Sequence, residues 1–258
     1  MAQQWDEMAR LNARYSIIST PEFEAGDGSS LEAFWASGRE ELDRIVSLLA
    51  LGDTSTRNAV EIGCGIGRMT HALAERFARV VALDVSPEMI RRARALGAEL
   101  GNVEFMVGSG SDLRGIPDAS ADFVLAWFVL QHIPHARDVL RYVSEAGRVL
   151  GPGGTAFLHM RTSRGTVDHA RRWLERRLFY VLPLPLRRAL GTRGGVSQER
   201  EFAARFRVWR GSPVRPRSVE QAARAAGLAV VSAEPAGDGF TVFRLTKPLD
   251  GTSSPGLG

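Results

Sequence analysis

The sequence predicts an α/β fold, a mostly parallel β-sheet with helices on both faces. Two observations carry this expectation. Between residues 58 and 160, short apolar runs of strand length alternate with stretches whose apolar residues recur at helical spacing. Glycines at alternate positions, Gly63, Gly65 and Gly67, follow the first apolar run and precede a helical pattern with Met69, Leu73 and Phe77 at spacings of four. Strand, glycine turn and helix bring backbone N–H groups and a helix N-terminus up to a ligand with no Cβ in the way.

Taken in order, residues 1–57 read as a helical unit. Trp5, Met8, Leu11 and Tyr15 recur every three or four positions, a polar loop covers 19–30, and a second helix over 31–51 carries Leu42, Ile45, Val46 and Leu49 on one face. Within 58–160 the expected strands are 59–62, 80–83, 103–107, 121–128 and 155–160. The expected helices are 68–78, 87–100 and 136–150. Ser86 before Pro87 is an N-cap followed by a first-turn proline. Gly151-Pro152-Gly153-Gly154 reads as a tight turn before the fifth strand. Residues 161–217 interrupt the alternation as a basic helical insert, with Trp173, Leu174, Leu178, Phe179 and Val181 at helical spacing before Pro183 and Pro185. A helix over 218–226 and strands over 228–233 and 240–245 complete the sheet within 218–247, and 248–258 is a Gly/Ser/Pro-rich tail expected to be disordered.

Composition bounds the partners. With 258 residues, 44% hydrophobic and 24% charged, the chain can bury a core of useful size. No apolar run approaches the ~20 residues of a membrane span. The N-terminus lacks a basic then apolar leader, and Cys64 is the single cysteine, so a cytoplasmic location is expected. Arginine supplies nearly all the positive charge, Lys247 being the only lysine, which points to a GC-rich bacterial genome. Residues 161–217 hold 15 arginines against Asp168, Glu175, Glu199 and Glu201, whereas the net charge of the whole chain is +4. A solvated arginine face over a lid or homodimer contact ranks first for this insert, and an anionic substrate second. Nucleic acid ranks third, because no RNA-binding motif or stacking platform accompanies the charge. Membrane insertion is not expected.

Four motifs carry chemistry. Glu61-Ile62-Gly63-Cys64-Gly65-Ile66-Gly67 lacks the third glycine of a pyrophosphate turn, since residue 68 is Arg, and it lacks the Gly-Lys-Ser/Thr of a triphosphate loop. Glu61 would repel a pyrophosphate and could hold an ammonium. Asp84, ending the second strand 17 residues after Gly67, can accept hydrogen bonds from two vicinal ribose hydroxyls. Met89, one helical turn on, either lies on an adenine face or packs in the core. Asp112 in the loop Gly108–Leu113 either accepts from an adenine amino group, with the Leu113 N–H reaching the ring, or is solvated. The fourth motif, Trp127-Phe128-Val129-Leu130-Gln131-His132-Ile133-Pro134, follows the fourth strand at the edge where open parallel sheets bind ligands.

Together these motifs and the Gly151–Gly154 turn resemble the class I S-adenosylmethionine-dependent methyltransferases, in particular the small-molecule branch with a Leu-Gln-His-Ile element after the fourth strand. The resemblance covers roughly residues 58–160. It implies a Rossmann-like seven-stranded sheet whose last strand is antiparallel, with an N-terminal helical lid. It implies S-adenosylmethionine as cofactor, with Glu61, Gly63, Cys64, Gly65 and Gly67 along the methionine end. Asp84 and Val85 would lie at the ribose, Met89, Asp112 and Leu113 around adenine, and Trp127 near the sulfonium. Trp5, Tyr15 or Trp35 of the lid would touch the cofactor or pack in the core.

Methyl transfer needs an in-line nucleophile about 3 Å from the methyl carbon and no metal; the five histidines, 71, 132, 135, 159 and 169, lack metal-site spacing. His132 and His159 are the candidate general bases, each weighed against a structural role. The expected activity is methylation of a small molecule, a bacterial secondary metabolite, with oxygen favoured over nitrogen or carbon. A cofactor-dependent step without methyl transfer, such as a cyclisation, is the alternative. An NAD-dependent oxidoreductase is disfavoured by the glycine spacing and Glu61.

Overall fold

The computed structural model of the chain describes residues 1–24, 30–163, 211–237 and 239–249, with isolated positions between 170 and 206. Part of the polar loop expected over 19–30, most of the basic segment 161–217 with Trp173 and Phe179, and the tail beyond residue 249 lie outside the described residues.

Seven strands form one sheet: β1 (Asn58–Ile62), β2 (Arg79–Asp84), β3 (Val103–Val107), β4 (Ala121–Ala126), β5 (Leu150–Arg161), β6 (Ala229–Pro235) and β7 (Phe240–Thr246). Their order is β3-β2-β1-β4-β5-β7-β6, parallel except for β7, which runs antiparallel to both β5 and β6. The order reverses at β1, where one connection leads to β2 and β3 and the later chain to β4 and β5. A crevice therefore opens at the carboxyl ends of β1 and β4, the position that binds ligands in open parallel sheets.

Alternate residues divide the core into two layers. Phe123 and Leu125 of β4 pack with α2 (Leu31–Leu49), α3 (Arg68–Ala74) and α4 (Pro87–Leu96). Val124 and Ala126 face α5 (Ala136–Val149) and α6 (Pro216–Ala225). This is the period-two pattern of a strand buried on both faces. Ser86 caps α4 as its position before Pro87 predicts, its Oγ accepting from the Met89 N–H at 3.1 Å.

Several boundaries differ from the sequence expectation. Helix α3 stops at Ala74 because the Asn102 amide donates to the carbonyls of Ala74 and Phe77, both at 2.9 Å, and closes that end. Helix α4 stops at Leu96, ahead of Gly97. Strand β4 ends at Ala126, so Trp127 and Phe128 leave the sheet, Phe128 with φ of 57°. Gly151–Gly154 lies inside β5 and is no separate turn. There Gly153 N–H donates to the Lys247 carbonyl at 2.8 Å and Lys247 N–H to Gly154 at 2.9 Å, while the register against β4 shifts between Ala121 and Phe123. The glycines thus form an irregularity within a continuing ladder.

Helix α1 (Ala2–Ile17) is two helical pieces joined at Asn12, whose backbone is extended (φ −165°, ψ 95°). The buried Asn12 side chain accepts from the Tyr15 N–H and donates to the carbonyls of Phe23 and Glu24, each at 3.0 Å. It starts the second piece as an N-cap and ties it to the following turn. The break ends the apolar stripe, leaving Leu11 exposed.

The contact of α2 with α3 depends on Gly38, where a Cβ would lie 2.1 Å from the Arg68 carbonyl oxygen. Replacement of Gly38 with Ala must push the two helices apart. It is expected to lower stability by about 1–3 kcal/mol in chemical denaturation, the usual cost of overpacking.

Candidate active site

A cavity opens at the carboxyl ends of β1, β2 and β4. Its floor is the turn after β1. Gly63 and Gly65 adopt φ of 73° and 57°, and the N–H groups of Gly63 and Cys64 both donate to the Leu83 carbonyl, at 2.6 and 2.9 Å. These left-handed positions favour glycine. Neither glycine simply leaves space for a ligand: a Cβ on Gly63 would strike Val129, and one on Gly65 would strike Ile17 of α1.

Asp84 joins the elements of the site. Its Oδ2 accepts the Gly65 N–H at 3.0 Å and its Oδ1 the Ser86 N–H at 2.8 Å. Its own carbonyl accepts from Gly108 at 2.8 Å. A carboxylate offers about four acceptor positions, so each oxygen keeps one for a ligand, and the side chain lines the cavity. Burial pushes its pKa up to about 6 against the hydrogen bonds that lower it, with Asp6 nearby adding repulsion.

Asp6 belongs to α1 and caps α4 across the site. Its Oδ1 accepts from the Ser86 hydroxyl and from the Glu88 N–H at 3.0 Å, a favourable place for a negative charge at a helix N-terminus. With α1 docked this way, Met1, Trp5, Ser16 and Ile17 form the cavity's outer wall. Trp5 meets the His132 ring edge-on, with centroids 5.2 Å apart.

Among the residues expected at the cofactor, Gly63, Gly65, Asp84, Val85, Met89, Leu113 and Trp127 line the cavity together with His132. The others do not. Glu61 lies beneath the turn, buried, with the Thr70 hydroxyl donating to its Oε2 at 2.6 Å; burial pushes its pKa up to about 7. Cys64 is buried below the same turn, which pushes its thiol pKa up. Gly67 is the left-handed N-cap of α3. Asp112 is enclosed by Arg114, Arg141 and Ser109, and the Arg114 guanidinium holds its carboxyl well below the usual range. The Leu113 N–H donates to Glu145 Oε2 at 2.9 Å and not into the cavity. Of the three lid aromatics, Trp5 alone lines the cavity; Tyr15 packs with Met8 and Phe206, and Trp35 stacks on His71 at 3.9 Å.

The two histidines differ. His132 lines the cavity, at the end of a short 3-10 turn (Leu130–His132), with its Nε2 3.2 Å from the Gln131 amide nitrogen. His159 on β5 is only 2% exposed and is boxed by Trp127, Phe128 and Phe240. Burial lowers its pKa to about 4, so it is neutral at ordinary pH. Phe128, Val129 and Tyr142 also line the cavity, as do Met1, Ser16 and Ile17. Sequence reasoning missed these because nothing local marks an apolar residue as facing a site across the fold. A bulky residue held at positive φ, as Phe128 is, has no sequence signal either.

The cavity can therefore hold a ligand with a vicinal diol at Asp84 and a flat group near Met89 and Leu113. Its other end opens toward Phe128 and His132.

The arrangement is that of a class I methyltransferase fold, with a seven-stranded sheet, an antiparallel last strand and the site at the topological reversal. Residues 60–158 match the model of a family described as a methyltransferase domain. The ubiquinone biosynthesis O-methyltransferase of Xanthomonas oryzae pv. oryzae is 33% identical over 107 residues, 41% of this chain and 44% of that protein. The protein of the same name from Xylella fastidiosa is 33% identical over 105 residues, covering 40% and 42%. The chain thus spans less than half the length of these curated relatives. Magnesium protoporphyrin IX methyltransferase from Synechocystis PCC 6803, solved with bound S-adenosylhomocysteine, superposes with a TM-score of 0.60 over 95% of this chain and 97% of that one, at 16% identity. A likeness at that identity concerns the fold.

Buried Glu61 and Asp84 make the ligand-free protein pH-sensitive. Each folded-state pKa is raised, Glu61 from 4.5 to about 7 and Asp84 from 3.8 to about 6. Their contribution to stability is thus complete below the unfolded pKa values and is lost as pH rises through the folded ones. His159, whose folded pKa is lowered to about 4, acts in the opposite direction over part of the same range. The Glu61 contribution is therefore read as a difference: in denaturation, the stability of the wild type relative to Glu61→Gln should fall between about pH 4.5 and 7.

Proposed function

We propose that the protein is an S-adenosylmethionine-dependent methyltransferase that methylates a hydroxyl oxygen of a small-molecule acceptor. The observation that carries the reading is Asp84. It is a carboxylate fixed by two backbone N–H groups at the end of β2, with acceptor positions left over and lining the cavity. The methyltransferase domain match over residues 60–158 supports the same assignment, and the named O-methyltransferase relatives favour oxygen as the methylated atom.

S-adenosylmethionine, when bound, supplies an activated methyl group on a positively charged sulfur. The chain's own residues bind, orient and exclude water around it. Asp84 would receive the ribose hydroxyls, and Val85 borders that end of the cavity. Met89 and Leu113 would border the adenine. The turn at Gly63 and Gly65 would hold the methionine end, with Cys64 and Gly67 shaping the turn from below. Glu61, with Thr70 as donor, sets a negative potential under that end when ionised. The Asp112 carboxylate, held by its arginines, shapes the loop that carries Leu113. Trp127 and Phe128 line the same cavity and would exclude water from the transferring methyl, and α1 closes the site through Asp6 and Trp5.

His132 would take the acceptor's hydroxyl proton. It is the one histidine among the described residues that lines the cavity. His159, neutral and enclosed by aromatic rings, packs the wall behind Phe128 and has a supporting role.

Replacement of Asp84 with Ala removes a charge-assisted acceptor pair. It should weaken S-adenosylmethionine binding by at least about tenfold in calorimetry; unchanged affinity would remove the ribose assignment. Replacement of His132 with Ala should lower turnover by about 10²–10⁴-fold and leave cofactor affinity within about twofold. The measurement is S-adenosylhomocysteine release with a panel of hydroxylated small molecules. Full activity in that variant would return His132 to a structural role.

A further inference from the structure

The basic segment that separates β5 from α6 returns to the core at Gly211–Val214, and this limb grips the turn that carries His132. The Gly211 N–H donates to the Gln131 carbonyl and the Ser212 N–H to the Ile133 carbonyl, both at 2.9 Å. The Ser212 hydroxyl donates to the Pro134 carbonyl at 2.5 Å. The contact is as close as backbone can come, since a Cβ on Gly211 would lie 2.2 Å from the Gln131 oxygen and 2.7 Å from the His132 carbonyl carbon. Only glycine fits, and for reasons of space alone.

The other end of the limb is anchored to the sheet. The Val214 N–H donates to the Arg161 carbonyl at 3.0 Å, and the Ser163 N–H donates back to Val214 at 3.1 Å. The departing and returning chains are thus zipped together beyond β5, and Val214 is buried in the main core. Farther out, Phe206 packs against Met8 and Tyr15, and Arg205 pairs with Glu7, so the same segment also braces α1. His132 therefore lies between two elements that the segment holds: the limb behind its backbone and Trp5 against its ring. The Gln131 amide beside Nε2 completes the restraint. Turned so that its Oε1, otherwise without a partner among the described residues, accepts the Nε2–H, the amide leaves Nδ1 to take the acceptor's proton.

We infer that Gly211 and Ser212 are positioning residues for His132: the returning limb of the basic segment sets the place and tautomer of the imidazole by clamping the Leu130–Pro134 backbone. The returning limb thereby belongs to the catalytic apparatus. A shift of about 1 Å in such a group is enough to cost orders of magnitude in rate. This inference rests on the reading of His132 as the base, but its test does not need the acceptor.

The test is imidazole ¹⁵N NMR of the full chain, with the His132 signals assigned by their loss in His132→Ala. Wild-type His132 should show one dominant tautomer. In Gly211→Ala the exchange-averaged ¹⁵N shifts should move toward a tautomer mixture while His71 stays in place, and S-adenosylhomocysteine affinity should remain within twofold by calorimetry. Ser212→Ala, which removes one hydroxyl and adds no clash, should give a smaller shift in the same direction, and Ser212→Thr should restore the wild-type spectrum. If Gly211→Ala does not fold, the Ser212 pair decides. Unmoved His132 signals in folded Gly211→Ala, or in Ser212→Ala, would overturn the clamp. A shifted spectrum together with a fully active His132→Ala would keep the clamp and reject the base.

Discussion

The site depends on one buried carboxylate. Asp84 accepts N–H groups from Gly65 and Ser86, so a single side chain ties the turn after β1 to the start of α4. Its backbone carbonyl also holds Gly108, after β3. Removing such a group would free the N–H donors of two elements in a region of low dielectric, where unpaired polar groups are expensive. Burial of a charged carboxylate is itself unfavourable, and it raises the pKa of Asp84. A ligand that donates two hydroxyl groups relieves that cost.

Around Asp84 the structure arranges closure. Asp6 reaches the same helix N-terminus from α1, using Ser86 as a shared partner. Two carboxylates near one helix start are tolerable because the helix dipole and three N–H donors meet them. The glycines of the turn then serve two purposes. They provide left-handed backbone, and they leave room for Ile17 and Val129, which roof the cavity. The turn that carries His132 is held by the limb at Gly211, and residues earlier in the same segment, Arg205 and Phe206, pack on α1.

Much of the fold was legible because it repeats a local rule. Apolar runs at 59–62, 80–83 and 103–107 match β1, β2 and β3 closely, and Ser86-Pro87 marked the start of α4 correctly. The misjudged positions involve distant partners. Asn102, 28 residues from Ala74, terminates α3. Lys247 recruits Gly151–Gly154 into β5. Neither pairing has a signature at the position it changes. Asp112 shows the same limit within the site. Its sequence context allowed a free carboxylate, whereas Arg141, on a helix that follows in the chain, helps to close around it.

The sequence by itself determined the alternation of strand and helix, the glycine turn after the first strand and the acidic residue at the end of the second. These are local: backbone conformation at Gly63 and Gly65 and the capping of α4 depend on neighbours within a few residues. The tertiary structure alone decided which of those residues face the cavity. Glu61 and Cys64 went beneath the turn, Leu113 gave its N–H to Glu145, and Ile17, Phe128 and Tyr142 came to the surface of the site from three separate elements. The physical reason is that a cavity wall is set by packing among elements far apart in sequence. A side chain's chemistry can be read from the chain, but its direction follows from what the rest of the fold leaves open.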